Sequence, residues 1–75
     1  MIIVYTRHAK RRMKWRKISE KEVRATLLSP DRQAPYRLDP TITDAHKHIG
    51  KRYLRISYKH QHGTIQIITV VDKND

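Results

Sequence analysis

The hydrophobic positions change period along the chain, and each change marks an element. Ile2-Ile3-Val4-Tyr5 is an unbroken β-branched and aromatic run, which suits a short strand. From residue 7 to 17 the apolar positions thin to Ala9 and Met13, one helical turn apart. Thr6 stands where it can cap a helix over Arg7–Arg16. Ser19-Glu20-Lys21-Glu22 reads as a capping box, in which Ser19 and Glu22 each satisfy the other's free backbone N–H. A second helix therefore starts near Glu20, buries Val23 and Leu27 with Leu28 alongside, and stops before Pro30. Ile18 is the apolar peg at the corner of this helical hairpin.

Residues 31–43 contain Pro35 and Pro40 and show no clear period, so a loop is expected, with a short edge strand near 36–38 as its candidate element. From Asp44 onward the period is two. Leu54, Ile56 and Tyr58 alternate with Tyr53, Arg55, Ser57 and Lys59, the mark of a strand with one buried face. Residues 65–71 are apolar on both faces past Gln66, which suits a central strand, and residues 60–63 form the hairpin loop before it. Gly50-Lys51 marks a two-residue turn from a preceding strand at 45–49. That turn would set Ile49 opposite Arg52, His48 opposite Tyr53 and His46 opposite Arg55. Ala45, Ile49, Leu54, Ile56 and Tyr58 then face the helices, and His46, His48, Tyr53 and Arg55 share the open side. The expected fold is α+β: a two-helix hairpin packed on one face of a small antiparallel sheet, in the order β-α-α-β-β-β.

Composition adds a bound and a bias. A chain of 75 residues forms one domain that buries only about 60% of its unfolded surface. A shallow surface site is expected rather than a deep cavity. Seventeen Lys and Arg against 7 Asp and Glu give a net charge of +10, a field that attracts phosphate backbones, anionic membranes or acidic protein segments. The absence of cysteine excludes a disulfide framework and a thiolate metal site, and points toward the cytoplasm. The longest apolar runs, 1–5 and 65–71, are too short to span a bilayer, and the first lacks the charged start of a signal peptide. A soluble chain without a membrane partner is expected.

Much of the charge sits in RHAKRRMKWRK at residues 7–17, which holds seven Lys or Arg, one His and no acid. On the helical wheel Arg7, Lys10, Arg11, Lys14 and Lys17 fan across the face opposite Ala9 and Met13. His8, Arg12 and Arg16 follow at i, i+4 and i+8 along the border of the core stripe, where both core and ligand are within reach. Trp15 beside them reads as closing the core's edge, with stacking on a nucleobase as the alternative.

The sequence Thr6-Arg7-His8-Ala9, Arg12-Met13, Arg16, Ile18-Ser19 and Val23, with Leu54-Arg55-Ile56 and Thr69-Val70, resembles the small BrnT-like members of the RelE/ParE toxin superfamily. Their helical start reads roughly HAxxRMxxRxIS. The resemblance covers the first 30 residues and, in pattern, the last 25, while the central segment departs from it. It implies a two-helix hairpin on an antiparallel sheet and a toxin of a toxin-antitoxin pair, either a metal-independent endoribonuclease or an inhibitor of DNA gyrase. The positions it carries over are His8, Arg12, Arg16 and Arg55.

Metal-free RNA cleavage needs a base for the 2′-OH proton, cations for the phosphorane charge and an acid for the leaving 5′-oxygen. Expected catalytic residues are His8, His48, Tyr53 and Arg55. Expected RNA contacts are Arg12, Arg16, Lys10, Arg11, Lys14 and His46. The plainer alternatives are His8 as a helix-start contact, Arg12 and Arg16 in ion pairs with Glu20, Glu22 or a C-terminal carboxylate, and Tyr53 and Arg55 on an ordinary exposed face. His46 and His48 share a face at a spacing that also binds Zn2+ or Ni2+, but no third ligand stands near in the sequence, so no metal and no cofactor is expected. The expected partners are RNA, a cognate antitoxin and the ribosome, and the free chain is expected to be a monomer or weak homodimer. The competing reading is a non-catalytic basic module that binds nucleic acid, the ribosome or a protein target such as DNA gyrase.

Overall fold

A computed structural model describes residues 2–74 as an α+β fold of two helices on a five-stranded sheet. The elements are β1 (Ile2–Tyr5), α1 (Arg7–Arg16), α2 (Glu20–Leu28), β2 (Arg32–Tyr36), β3 (Asp39–Ile49), β4 (Arg52–Gln61) and β5 (Thr64–Asp72), with sheet order β1-β5-β4-β3-β2.

The helix ends form as their sequences dictate. The Thr6 hydroxyl accepts from Ala9 N at 3.1 Å, and Lys17 closes α1 in the left-handed region at φ 55. The Ser19–Glu22 capping box is complete: Glu22 N donates to Ser19 Oγ at 3.1 Å and Ser19 N donates to Glu22 Oε1 at 2.9 Å. Arg52 ties both helices to the sheet. Its Nη1 lies 3.2 and 3.1 Å from the two Glu22 carboxylate oxygens, and its Nη2 donates to Arg16 O at 3.1 Å, one of the carbonyls that α1 leaves unpaired at its end.

Two expectations about the sheet are corrected. It is mixed, because β1 runs parallel to β5 from Ile2↔Thr64 to Tyr5↔Ile67. The apolar β5 is central and needs a ladder on both sides, and β1 supplies the second; Thr6 N extends it by donating to Ile67 O at 3.0 Å. Residues 31–43 are not a loop but β2, a tight turn at Arg37-Leu38 and the first half of β3. Pro35 is compatible with this because β2 is an edge strand, and the register shifts between Pro35 and Tyr36. The last hairpin is also tighter than expected. Pairing continues to Gln61↔Thr64, leaving His62 and Gly63 with φ 49 and 76 as the turn.

The core comprises Ala9, Met13, Ile18, Val23, Leu54, Ile56, Ile65, Ile67 and Val70, with Ile3, Tyr5, Leu27, Ile49 and Tyr58 packed at its margin. Thr26, not Leu28, completes the buried stripe of α2. Its hydroxyl donates to Glu22 O at 2.9 Å and so enters the core satisfied, while Leu28 is 66% exposed. Trp15 does not close the core's edge: it is 69% exposed, with the Arg16 guanidinium 5.0 Å from its ring centroid.

Candidate functional site

The β3–β4 hairpin places the open-face cluster. Gly50 takes φ 59 at the turn, and the ladder then sets Ile49↔Arg52, His48↔Tyr53, His46↔Arg55 and Asp44↔Ser57. Because alternate residues share a face, His46, His48, Tyr53 and Arg55 stand together on the side away from the helices. Tyr53 is the hub. Its ring stacks on His48 at 4.1 Å and 19°, meets His46 at 5.7 Å, and carries Lys73 Nζ 5.4 Å from its centroid.

The two histidines differ in environment. His46 is 7% exposed, and its Nδ1 is buried without a hydrogen-bond partner among the described residues. Burial lowers its pKa from the ordinary 6.5, and the nearby charges of Lys73, Arg32 and Arg55 lower it further against the opposing pull of Asp44. It is a neutral imidazole at pH 7. His48 is exposed and held from one side: Asp31 Oδ2 accepts from His48 N at 2.9 Å and lies 3.5 Å from its Nδ1. The Asp31 carboxyl titrates below its usual range, chiefly through that backbone N–H and then through the charge of Lys47. Nε2 is the ring nitrogen left to a ligand.

Arg55 is the central cation. Its guanidinium is half-buried, its Nε is buried without a partner, and it forms no hydrogen bond or ion pair among the described residues. The carboxylate of Asp44, opposite Ser57 on the same face, instead accepts from the Ser57 hydroxyl at 2.5 Å. Next to Arg55 lies a cleft of about 140 Å3 lined by Tyr36, Ile42, Arg55, Ser57, Ile68 and Thr69. It owes its shape to a β-bulge: the register shifts after Ser57↔Thr69, so Ile68 has no partner of its own and lines the cleft alongside Thr69.

The helix-borne candidates occupy a different surface. Ala9 and Met13 pack α1 onto the core side of the sheet, which leaves His8, Lys10, Arg11 and Lys14 exposed there and Arg12 and Arg16 half-buried. No hydrogen bond, ion pair or ring contact joins His8 or Arg12 to the open-face cluster among the described residues. Glu22, one of the carboxylates that the plainer reading offered to Arg12 and Arg16, pairs with Arg52. A larger cavity, about 240 Å3, lies by α1 and is lined by Tyr5, Lys10, Met13 and Glu20. Tyr5 is a protonated phenol there, its pKa raised by burial and by the charge of Glu20. This cavity is wider than the cleft but offers one cation matched by one acid, so size does not make it the better anion site.

Sequence reasoning brought together His46, His48, Tyr53 and Arg55 but missed Arg32, Tyr36, Asp44, Ser57 and Lys73. Asp44 and Ser57 were within reach, since the same register carried two residues further sets them opposite. Arg32 and Tyr36 lie on a strand that the prolines disguised. Among the described residues no group of three His, Asp or Glu side chains is arranged to hold a metal ion.

The fold and site define a small α+β domain whose uncovered sheet face is cationic and aromatic. The chain belongs to the family described as "Domain of unknown function (DUF4258)", whose model matches residues 5–75. No curated protein and no solved structure matches it.

Proposed function

We propose that this chain is a RelE/ParE-like toxin of a toxin-antitoxin pair, acting as a metal-independent endoribonuclease through its open sheet face. The observation that carries the reading is the Arg55 guanidinium, unpaired among the described residues, opposite a neutral buried His46 and on the same face as the stacked Tyr53–His48 pair. Support also comes from the net charge of +10 and from the resemblance at residues 8–19.

In this mechanism a phosphate of single-stranded RNA sits on Arg55, with Lys73 and Arg32 adding charge nearby. His46, uncharged at pH 7, accepts the proton of the 2′-hydroxyl. The 2′-oxygen attacks the adjacent phosphorus and the bond from phosphorus to the 5′-oxygen breaks. His48 donates a proton to that 5′-oxygen from Nε2, while Asp31 holds its other edge. The products are a 2′,3′-cyclic phosphate and a 5′-hydroxyl. Tyr53 stacks on a base beside the scissile bond. The basic face of α1 gathers RNA from solution, and an antitoxin supplying acidic or apolar segments neutralises the toxin in the cytoplasm.

The test is cleavage of single-stranded RNA by purified protein in EDTA. His46→Gln, His48→Ala and Arg55→Ala, each checked for folding by circular dichroism, are expected to lose about 100- to 10,000-fold in rate. A loss of that size in His8→Ala alone would move the acid or base onto α1. RNA bound but not cut by the wild type would favour the non-catalytic basic module, a reading the exposed Trp15–Arg16 pair and the Tyr53 stack also suit. Harmless expression without a partner would count against the toxin assignment.

A further inference from the structure

The open face has a direction, and the direction suggests which part of an RNA each end takes. Along β4 the side chains of Tyr53, Arg55 and Ser57 follow one another on the same face, a span of about 13 Å. At the first end an exposed His48 ring stacks on the half-buried Tyr53, whose ring the flexible Lys73 side chain overlies, a platform that a base of any identity can join. In the middle Arg55 has no anionic partner among the described residues. At the far end the cleft has side walls from Ile42 and Ile68, a ring from Tyr36 and hydroxyls from Ser57 and Thr69. Its volume of about 140 Å3 suits one flat ring system and excludes a stacked pair.

We propose that this cleft is a nucleobase pocket, which takes the base on one side of the phosphate held by Arg55 while the base on the other side stacks on Tyr53. The site then reads RNA asymmetrically, selective at the cleft and tolerant at the platform. Two features favour a base over a phosphate or an aliphatic side chain in the cleft. Apolar walls on both sides suit the faces of a ring, and the hydroxyls of Ser57 and Thr69 give its edge hydrogen-bonding partners. The Ser57 hydroxyl is already oriented, since it donates to Asp44 and presents its lone pairs elsewhere. The neighbouring cations give the attached phosphate a matching charge. This inference rests on RNA as the ligand of the open face, but not on its cleavage.

The probe is the set of sixteen 2′-O-methyl dinucleotides, which cannot be cleaved through the 2′-oxygen, with binding followed by amide shifts in NMR titration. Affinities are expected to differ at least about tenfold with the base at one position and less than about threefold with the base at the other. Shifts should centre on Ile68 and Thr69 for the first base and on Tyr53 for the second. Ile42→Trp, which fills the cleft, and Tyr36→Ala, which opens it, should each abolish the preference while retaining a shift at Arg55. Equal affinity for all sixteen, a preference that survives both variants, or no binding would overturn the pocket. RNA cleavage combined with any of these results would leave the proposed function standing and this inference fallen. Selective binding without cleavage would do the reverse.

Discussion

His46 is the residue whose environment makes the sharpest statement. Its pKa in the folded chain lies below the ordinary 6.5, so between those two values the unfolded chain binds more protons than the folded one. Stability from this group is therefore present above pH 6.5 and declines as pH falls toward the folded pKa. Wild-type Tm should drop between pH 7 and 5, and His46→Gln should drop less over the same range, as thermal melts followed by circular dichroism would show. Equal slopes would mean that His46 is charged in the fold. Asp31 and Asp39 do not confuse the result, because hydrogen bonds from His48 N and from Thr41 respectively hold them below the usual carboxylate range and so below this window. Gly50 gives a second test of single-residue chemistry. No atom stands within 4 Å of a Cβ built there, so Gly50→Ala meets only the strain of φ 59, about 1–2 kcal/mol. A larger loss in a urea titration would mean that the turn also repositions the β3–β4 register, on which the histidine pair depends.

Between elements, Glu22 is the shared joint. It completes the capping box of α2 and also receives Arg52 from the start of β4. Ser19→Ala removes a cap worth about 1 kcal/mol. Arg52→Ala removes charge-assisted bonds that are partly screened by solvent, about 1–2 kcal/mol. Because both act through one carboxylate, the double variant should depart from additivity by at least about 0.5 kcal/mol in urea denaturation. Strict additivity would mean that Glu22 serves the two contacts independently. The capping box was legible from four residues because caps are local, and the β3–β4 register was legible because a two-residue turn fixes every pair beyond it. The β1–β5 pairing was not, since it joins residues some 60 positions apart and leaves no local trace. Nor was β2, where Pro35 reads as a break and is tolerated only because the strand lies at the edge. The cleft depends on the bulge at Ile68, and a bulge inside a continuous apolar run leaves the pattern unchanged.

At the scale of the whole molecule the charge divides between two sides of the sheet. The cations of α1 lie on one side and Arg55, Arg32 and Lys73 on the other, in a body measuring 32 × 23 × 22 Å. A separation on the order of 20 Å exceeds two Debye lengths at physiological salt, each about 8 Å. Charge on α1 therefore contributes little to a ligand confined to the open face, and contributes fully to one long enough to wrap the edge of the sheet. The variant with Lys10, Arg11 and Lys14 all changed to Gln separates the cases. These residues are exposed, and the exchange leaves Ala9 and Met13 in the core. Dinucleotide affinity should match the wild type at 0.15 M salt. Affinity for a single-stranded RNA of about 20 nucleotides should fall, and the slope of log K against log salt should become shallower by roughly 2, as expected for three lost phosphate contacts on a single strand. Weakened dinucleotide binding would place α1 at the site itself, as the helical motif at residues 8–19 implies. An unchanged slope with the long RNA would confine the whole ligand to the open face.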